Sequence, residues 1–112
     1  MTNTTVVIFV INVKTKLFIN MKTFKDLEFF PHPNHVMGKH AKIKFDNLYG
    51  VSVVQTPYSY GGESGLYELA VIDSNGQLTY DTPITNDVLG YLTEGDVTKV
   101  MIDVQKLNAY IF

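Results

Sequence analysis

The chain has no cysteine, no tryptophan and no arginine among its 112 residues. Without cysteine there is no disulfide framework, and any metal site must be built without thiolates. Without arginine the chain lacks the side chain best suited to bidentate recognition of phosphate or of guanine edges. A long hydrophobic run is missing too. The apolar stretch Thr5-Val-Val-Ile-Phe-Val-Ile-Asn-Val13 has fewer than half of the about 20 residues that a membrane helix needs. Met1-Thr-Asn-Thr-Thr5 carries no positive charge and no Ala-x-Ala follows, so a secretory signal is not expected. Internal repeats and low-complexity linkers are equally absent.

What is there describes one small globular domain. Hydrophobic residues make up 46% of the chain and charged residues 18%, too apolar for disorder and too short for two full domains. A domain of this size hides roughly 65% of the surface its unfolded chain exposes, enough for one core. The net charge is −2, but it is unevenly spread. Residues 1–44 hold seven lysines and two acids, leaving +5, and residues 45–112 hold two lysines and nine acids, leaving −7. Such a dipolar chain can attract nucleic acid or its own copies. The basic half contains no run of adjacent cations, so the expectation is that the halves pack together and offset each other.

Residues 1–20 read as an N-terminal extension, either an extra strand or the product of an upstream start. Met21-Lys22-Thr23-Phe24 resembles a natural beginning, and residues 21–112 read as the domain itself. Within it, Thr23–Phe30 suits a helical turn or a strand, and Pro31 and Pro33 force an extended or turning path. Ala41, Ile43 and Phe45 alternate with Lys42, Lys44 and Asp46, the period of a half-buried strand. Val51–Thr56 forms a second strand after the turn at Asp46–Gly50. Leu66–Asp73 forms a third, with Tyr67, Leu69 and Val71 on one face. Asn75-Gly76 signals a hairpin, because both residues tolerate positive φ, and it leads into a fourth strand at Gln77–Tyr80.

Beyond Pro83 the period changes. Thr85 is placed to cap a short helical turn holding Val88, Leu89 and Leu92. Thr93 caps a longer helix, with Glu94 and Asp96 in its first turn and Asp96 in capping-box position. Val97, Val100, Met101, Val104 and Leu107 then form one apolar stripe. The predicted fold is α+β, an antiparallel four- or five-stranded β-meander with a C-terminal helix packed on one face.

Three constellations carry potential chemistry. His32-Pro-Asn-His35-Val-Met-Gly-Lys-His40 contains every histidine of the chain. His32, His35 and His40 are weak candidates for a divalent metal, with Glu28 or Asp46 as an oxygen ligand, but their spacing matches no standard site. No metal and no cofactor are therefore expected. Tyr58-Ser-Tyr-Gly-Gly-Glu-Ser-Gly65 is a long connection on which function can gather. Glycines allow close backbone approach and tyrosines give contact area at low entropic cost. Tyr58, Tyr60, Gly61, Gly62 and Glu63 are the expected contact residues. The acidic set Asp73, Asp81, Asp87, Glu94 and Asp96 is better explained by turns and helix starts than by catalysis. Ser64 lacks the second glycine of a nucleophile elbow, no Walker loop exists, and no catalytic residue is assigned.

Pro31-His-Pro-Asn34, Phe45-Asp-Asn-Leu-Tyr-Gly-Val-Ser-Val-Val54, and Tyr67-Glu-Leu-Ala-Val-Ile72 with Tyr80–Leu92 resemble segments of small tailed-bacteriophage proteins of unknown function. The resemblance spans residues 21–107 and implies a bacterial cytoplasm as the setting. No activity comes with it. The leading expectation is a non-enzymatic phage accessory protein that binds a host or phage protein, or itself, through the sheet and the Tyr58–Gly65 loop. The alternative is a small-ligand, nucleotide-like binder or sponge whose loop closes over an anion held by the amides near Gly61 and Gly62. Nucleic acid, through Lys39, Lys42 and Lys44, is disfavoured, and no membrane partner is expected.

Overall fold

A computed structural model of the protein describes residues 21–108. The strand or extension expected over residues 1–20 lies outside the described residues. Five antiparallel strands follow one another across a single sheet: β1 (Phe30–Pro31), β2 (Lys39–Lys44), β3 (Gly50–Gln55), β4 (Tyr67–Ile72) and β5 (Leu89–Leu92). Helix α1 (Glu94–Gln105) then packs on one face. This is the α+β meander the patterning predicts.

The register explains which face the helix takes. Ala41 lies opposite Val53, which lies opposite Leu69, and Ile43, Val51 and Val71 form the next row. Alternation along each strand puts these residues on one side and His40, Lys42, Lys44, Ser52, Val54 and Glu68 on the other. Val97, Met101 and Val104 of α1 close over the apolar side and are fully buried. Phe24, Leu27 and Phe29 seal its margin. The Phe24 and Phe29 rings lie 5.1 and 5.7 Å from that of Tyr67. The Thr23–Phe30 ambiguity resolves as a single 3-10 turn, Phe24–Asp26, whose Thr23 N–H donates to the Asp26 carboxylate at 2.8 Å.

Valine-rich α1 is a mediocre helix by propensity and is held by its ends. At the start, the Asp96 N–H donates to Thr93 Oγ1 at 3.1 Å and the Thr93 N–H donates to Asp96 Oδ2 at 3.0 Å. At the other end, the Asn47 side-chain amide donates to the carbonyls of Val104 and Leu107 at 2.8 and 2.9 Å. The Val104 carbonyl also accepts the Leu107 N–H at 3.1 Å, so Asn47 adds a side-chain donor where the intrahelical donors run out. Gln105 in turn exchanges two 2.8 Å hydrogen bonds with the backbone of Lys22.

Two expectations are corrected. The hairpin turn at Asn75-Gly76 forms, with Gly76 at φ 78°, but Gln77–Tyr80 is not a full strand. Its pairing with β4 shrinks to one bridge, Ile72 with Leu78, and one N–H from Thr79 to the Val71 carbonyl at 2.9 Å. The short polar segment has too little apolar surface to continue the ladder before Pro83 turns it away. The place beside β4 goes instead to Leu89–Leu92, read from sequence as a helical turn. Leu89 and Leu92 pair with Leu69 and Tyr67, so the two residues between them, Gly90 and Tyr91, face the single residue Glu68. A β-bulge supplies the extra residue, and Tyr91 sits there at φ 57°.

Candidate functional site

Topology gathers three connections at one end of the sheet. Lys39 is opposite both Pro31 and Gln55, and Tyr67 is opposite Leu92. The β1–β2 tip (residues 32–38), the β3–β4 connection (56–66) and the bulged end of β5 are therefore neighbours.

The β3–β4 connection is built around Thr56, a buried polar side chain. Its hydroxyl accepts the N–H groups of Tyr58 and Ser59 at 3.1 and 3.0 Å, and its own N–H donates to Ser59 Oγ at 2.9 Å. Gly61 and Gly65 take φ of 87° and 75°, which side chains resist. A Cβ on Gly62 would overlap the Thr56 carbonyl oxygen. Gly62 N–H donates to the Ser59 carbonyl and Leu66 N–H to that of Gly61, each at 3.0 Å. This is a folded loop, closed by its own backbone.

It holds the two expected tyrosines outward. Tyr58 is 82% exposed and Tyr60 57%. Tyr60 N–H donates to the Glu68 carboxylate at 3.2 Å, and its carbonyl accepts the Tyr91 N–H at 3.1 Å. The side chain of Tyr60 lies where any Cβ on Gly90 would be. Its ring stacks on Tyr91, 6.4 Å between centroids and 26° between planes. Tyr91 is 66% exposed. The sequence pattern misses it because the helical turn expected around Val88, Leu89 and Leu92 gives Tyr91 no strand partner; a glycine beside an aromatic at a strand end is the available signal. Glu63 lies exposed in the 3-10 turn Gly62–Ser64.

The tip brings all three histidines together. His32 lies 4.8 Å from His35 and 5.7 Å from His40 between ring centroids, and His35 meets the Tyr58 ring at 5.3 Å. Two successive turns form the tip, closed by Gly38 N–H donating to the His35 carbonyl at 2.9 Å and His32 N–H to that of Gly38 at 2.8 Å. Val36 and Met37 project from it, 100% and 82% exposed. His32 Nδ1 accepts the Asn34 N–H at 3.1 Å. Partial burial, with the charges His35 and His40 can carry, holds His32 below the ordinary imidazole value of 6.5. Among the described residues no group of three or more His, Asp or Glu side chains is arranged to hold a metal ion.

The remaining candidates are dispersed. Asp73 Oδ1 accepts two turn N–H groups, Asp87 Oδ1 accepts the Val88 N–H, and Asp96 caps α1. Lys39 turns to the helix side, its ammonium 4.9 Å from the Phe29 ring centre and 5.5 Å from that of Tyr67. Lys42 is exposed, and Lys44 donates to the Ser74 carbonyl at 2.7 Å. The opposed charges of the two halves do not meet in direct pairs: among the described residues the one ion pair is Lys99–Asp103, within α1. A surface cleft of about 370 Å³ lies at the far end of the sheet between Leu48, Tyr49, Asp73 and Asp81.

No family model, curated protein or solved structure matches this chain. Among the described residues no helix is long and apolar enough to cross a membrane.

Proposed function

We propose that this protein is a non-enzymatic binding module that engages a protein partner through the aromatic end of its sheet. The contact surface comprises Tyr58, Tyr60 and Tyr91 with His35, Val36 and Met37 of the adjacent tip. One observation carries the reading: large, solvent-facing aromatic side chains stand on a loop whose backbone is already fixed by internal hydrogen bonds. Rigid aromatic anchors lose little entropy on binding and dominate contact energetics where they are buried. The resemblance to tailed-phage proteins favours a bacterial cytoplasm and a host or phage protein, or a second copy, as the partner.

A nucleotide-like ligand is less well supported. The Gly62 amide that would hold an anion already donates to Ser59, and neither that loop nor the tip lines the cleft beside Leu48 and Asp73 or the one beside Met21 and Gln105. The test is affinity capture from bacterial lysate with the native chain and with a Tyr58→Ala/Tyr60→Ala variant. Loss of a captured protein by the variant, with its melting temperature kept, is the expected result. An unchanged set of captured proteins would remove the loop from the contact.

A further inference from the structure

We propose that His32 is a proton-operated latch on the β1–β2 tip, closed while its imidazole is neutral and opened when it is protonated. The argument begins with one hydrogen bond. His32 Nδ1 accepts the Asn34 N–H at 3.1 Å, so that nitrogen carries no proton, and in the neutral ring the proton resides on Nε2. A second proton has one place to go. It must occupy Nδ1, where it turns an acceptor into a donor facing another donor, and the bond that shapes the first turn is lost.

The surroundings oppose that second proton. His35 from the tip and His40 from β2 face the ring at 4.8 and 5.7 Å, and each is a cation when protonated. Tyr58, from the β3–β4 connection, reaches His35 but not His32. No carboxylate among the described residues forms an ion pair or hydrogen bond with any of the three imidazoles. The lowered affinity of His32 for a proton agrees with this geometry. Because folding depresses it, the sign follows: the closed tip is fully favoured above 6.5, and weakens as pH falls from there through the lower folded value.

Opening has a defined reach. The turn His32–His35 is otherwise spanned by a long 3.5 Å bond from the His35 N–H to the His32 carbonyl. Releasing Asn34 loosens that turn and carries His35 off the Tyr58 ring. Gly38 remains as the anchor, since a Cβ there would stand 2.8 Å from Thr56 Cγ2. The latch is a property of the fold and holds whether or not the aromatic end takes a partner.

The test follows imidazole nitrogens and backbone amides of the full chain by NMR from about pH 8 to about pH 5. Expected at the alkaline end is the Nε2–H tautomer of His32. On acidification the Asn34 amide and the Tyr58 ring signals should move with the His32 midpoint, which should lie below 6.5. His32→Asn places an amide oxygen near the Nδ1 position, an acceptor that does not titrate, and should abolish the Asn34 response while leaving its alkaline shift in place. A His32 Nδ1–H tautomer at high pH, an Asn34 amide indifferent to the His32 titration, or an undiminished Asn34 response in His32→Asn would each overturn the latch. Should His32→Asn fail to fold, the tautomer and the shared midpoint in the native chain still decide.

Discussion

Leu48 occupies a conformation that its side chain resists. It sits at φ 76° in the turn between β2 and β3, where Phe45 N–H donates to the Tyr49 carbonyl at 2.7 Å and Leu48 N–H to that of Phe45 at 3.0 Å. A left-handed residue with a Cβ carries a penalty of about 1–2 kcal/mol, and glycine loses part of that gain to chain entropy. Leu48 is 43% exposed and lies outside the core cluster. Leu48→Gly should therefore stabilise the domain by about 0.5–1 kcal/mol in urea denaturation; a loss would mean that the leucine contributes packing that outweighs its strain. Turn chemistry at Asp46–Gly50 was readable in the sequence, but the burden on Leu48 was not, because composition does not say which turn residue takes positive φ. Tyr58 and Tyr60 were likewise legible as exposed aromatics among glycines. Tyr91 was not, since its place depends on a partner strand.

Elements tell the same lesson through spacing. Leu89 and Leu92 are three apart, a helical interval, yet they face Leu69 and Tyr67, which are two apart. A single bulged residue converts a strand's period into a helix's, and no single-sequence pattern separates the two. The helix itself was legible because its stripe runs over several turns and its cap is local. That cap makes a quantitative prediction. Asp96 is held below its ordinary 3.8 first by the Thr93 N–H and then by the Thr93 hydroxyl. A depressed carboxylate contributes stability that is present above 3.8 and lost as pH falls through the folded value. Thr93→Ala should cost about 1 kcal/mol at neutral pH. It should also weaken the acid dependence of unfolding over that window; an unchanged acid limb would separate Asp96 from the cap.

Across the whole molecule, charge follows strand order. Lys22, Lys25, Lys39, Lys42 and Lys44 precede or lie on β2, while Asp73, Asp81, Asp87, Glu94 and Asp96 surround the path from β4 through β5 to α1. The dipole seen in the sequence thus becomes a gradient across the sheet rather than a neutralised seam. On its basic side Lys39 turns inward over aromatic rings and Lys44 is tied to Ser74, which argues against a nucleic-acid surface. The full chain should pass through heparin at physiological salt. Retention that falls steeply with added salt would reverse that reading.

The order of the elements also bears on how the molecule is made. All five strands precede α1, and the carbonyls of Val104 and Leu107 at its end are met by Asn47, 57 and 60 residues upstream. A helix of this length and composition has little standing alone. While the chain leaves the ribosome, the wall of Val51, Val53, Leu69 and Val71 must therefore wait bare until translation has passed Gln105. That interval is when an intruding strand or a chaperone has its best access.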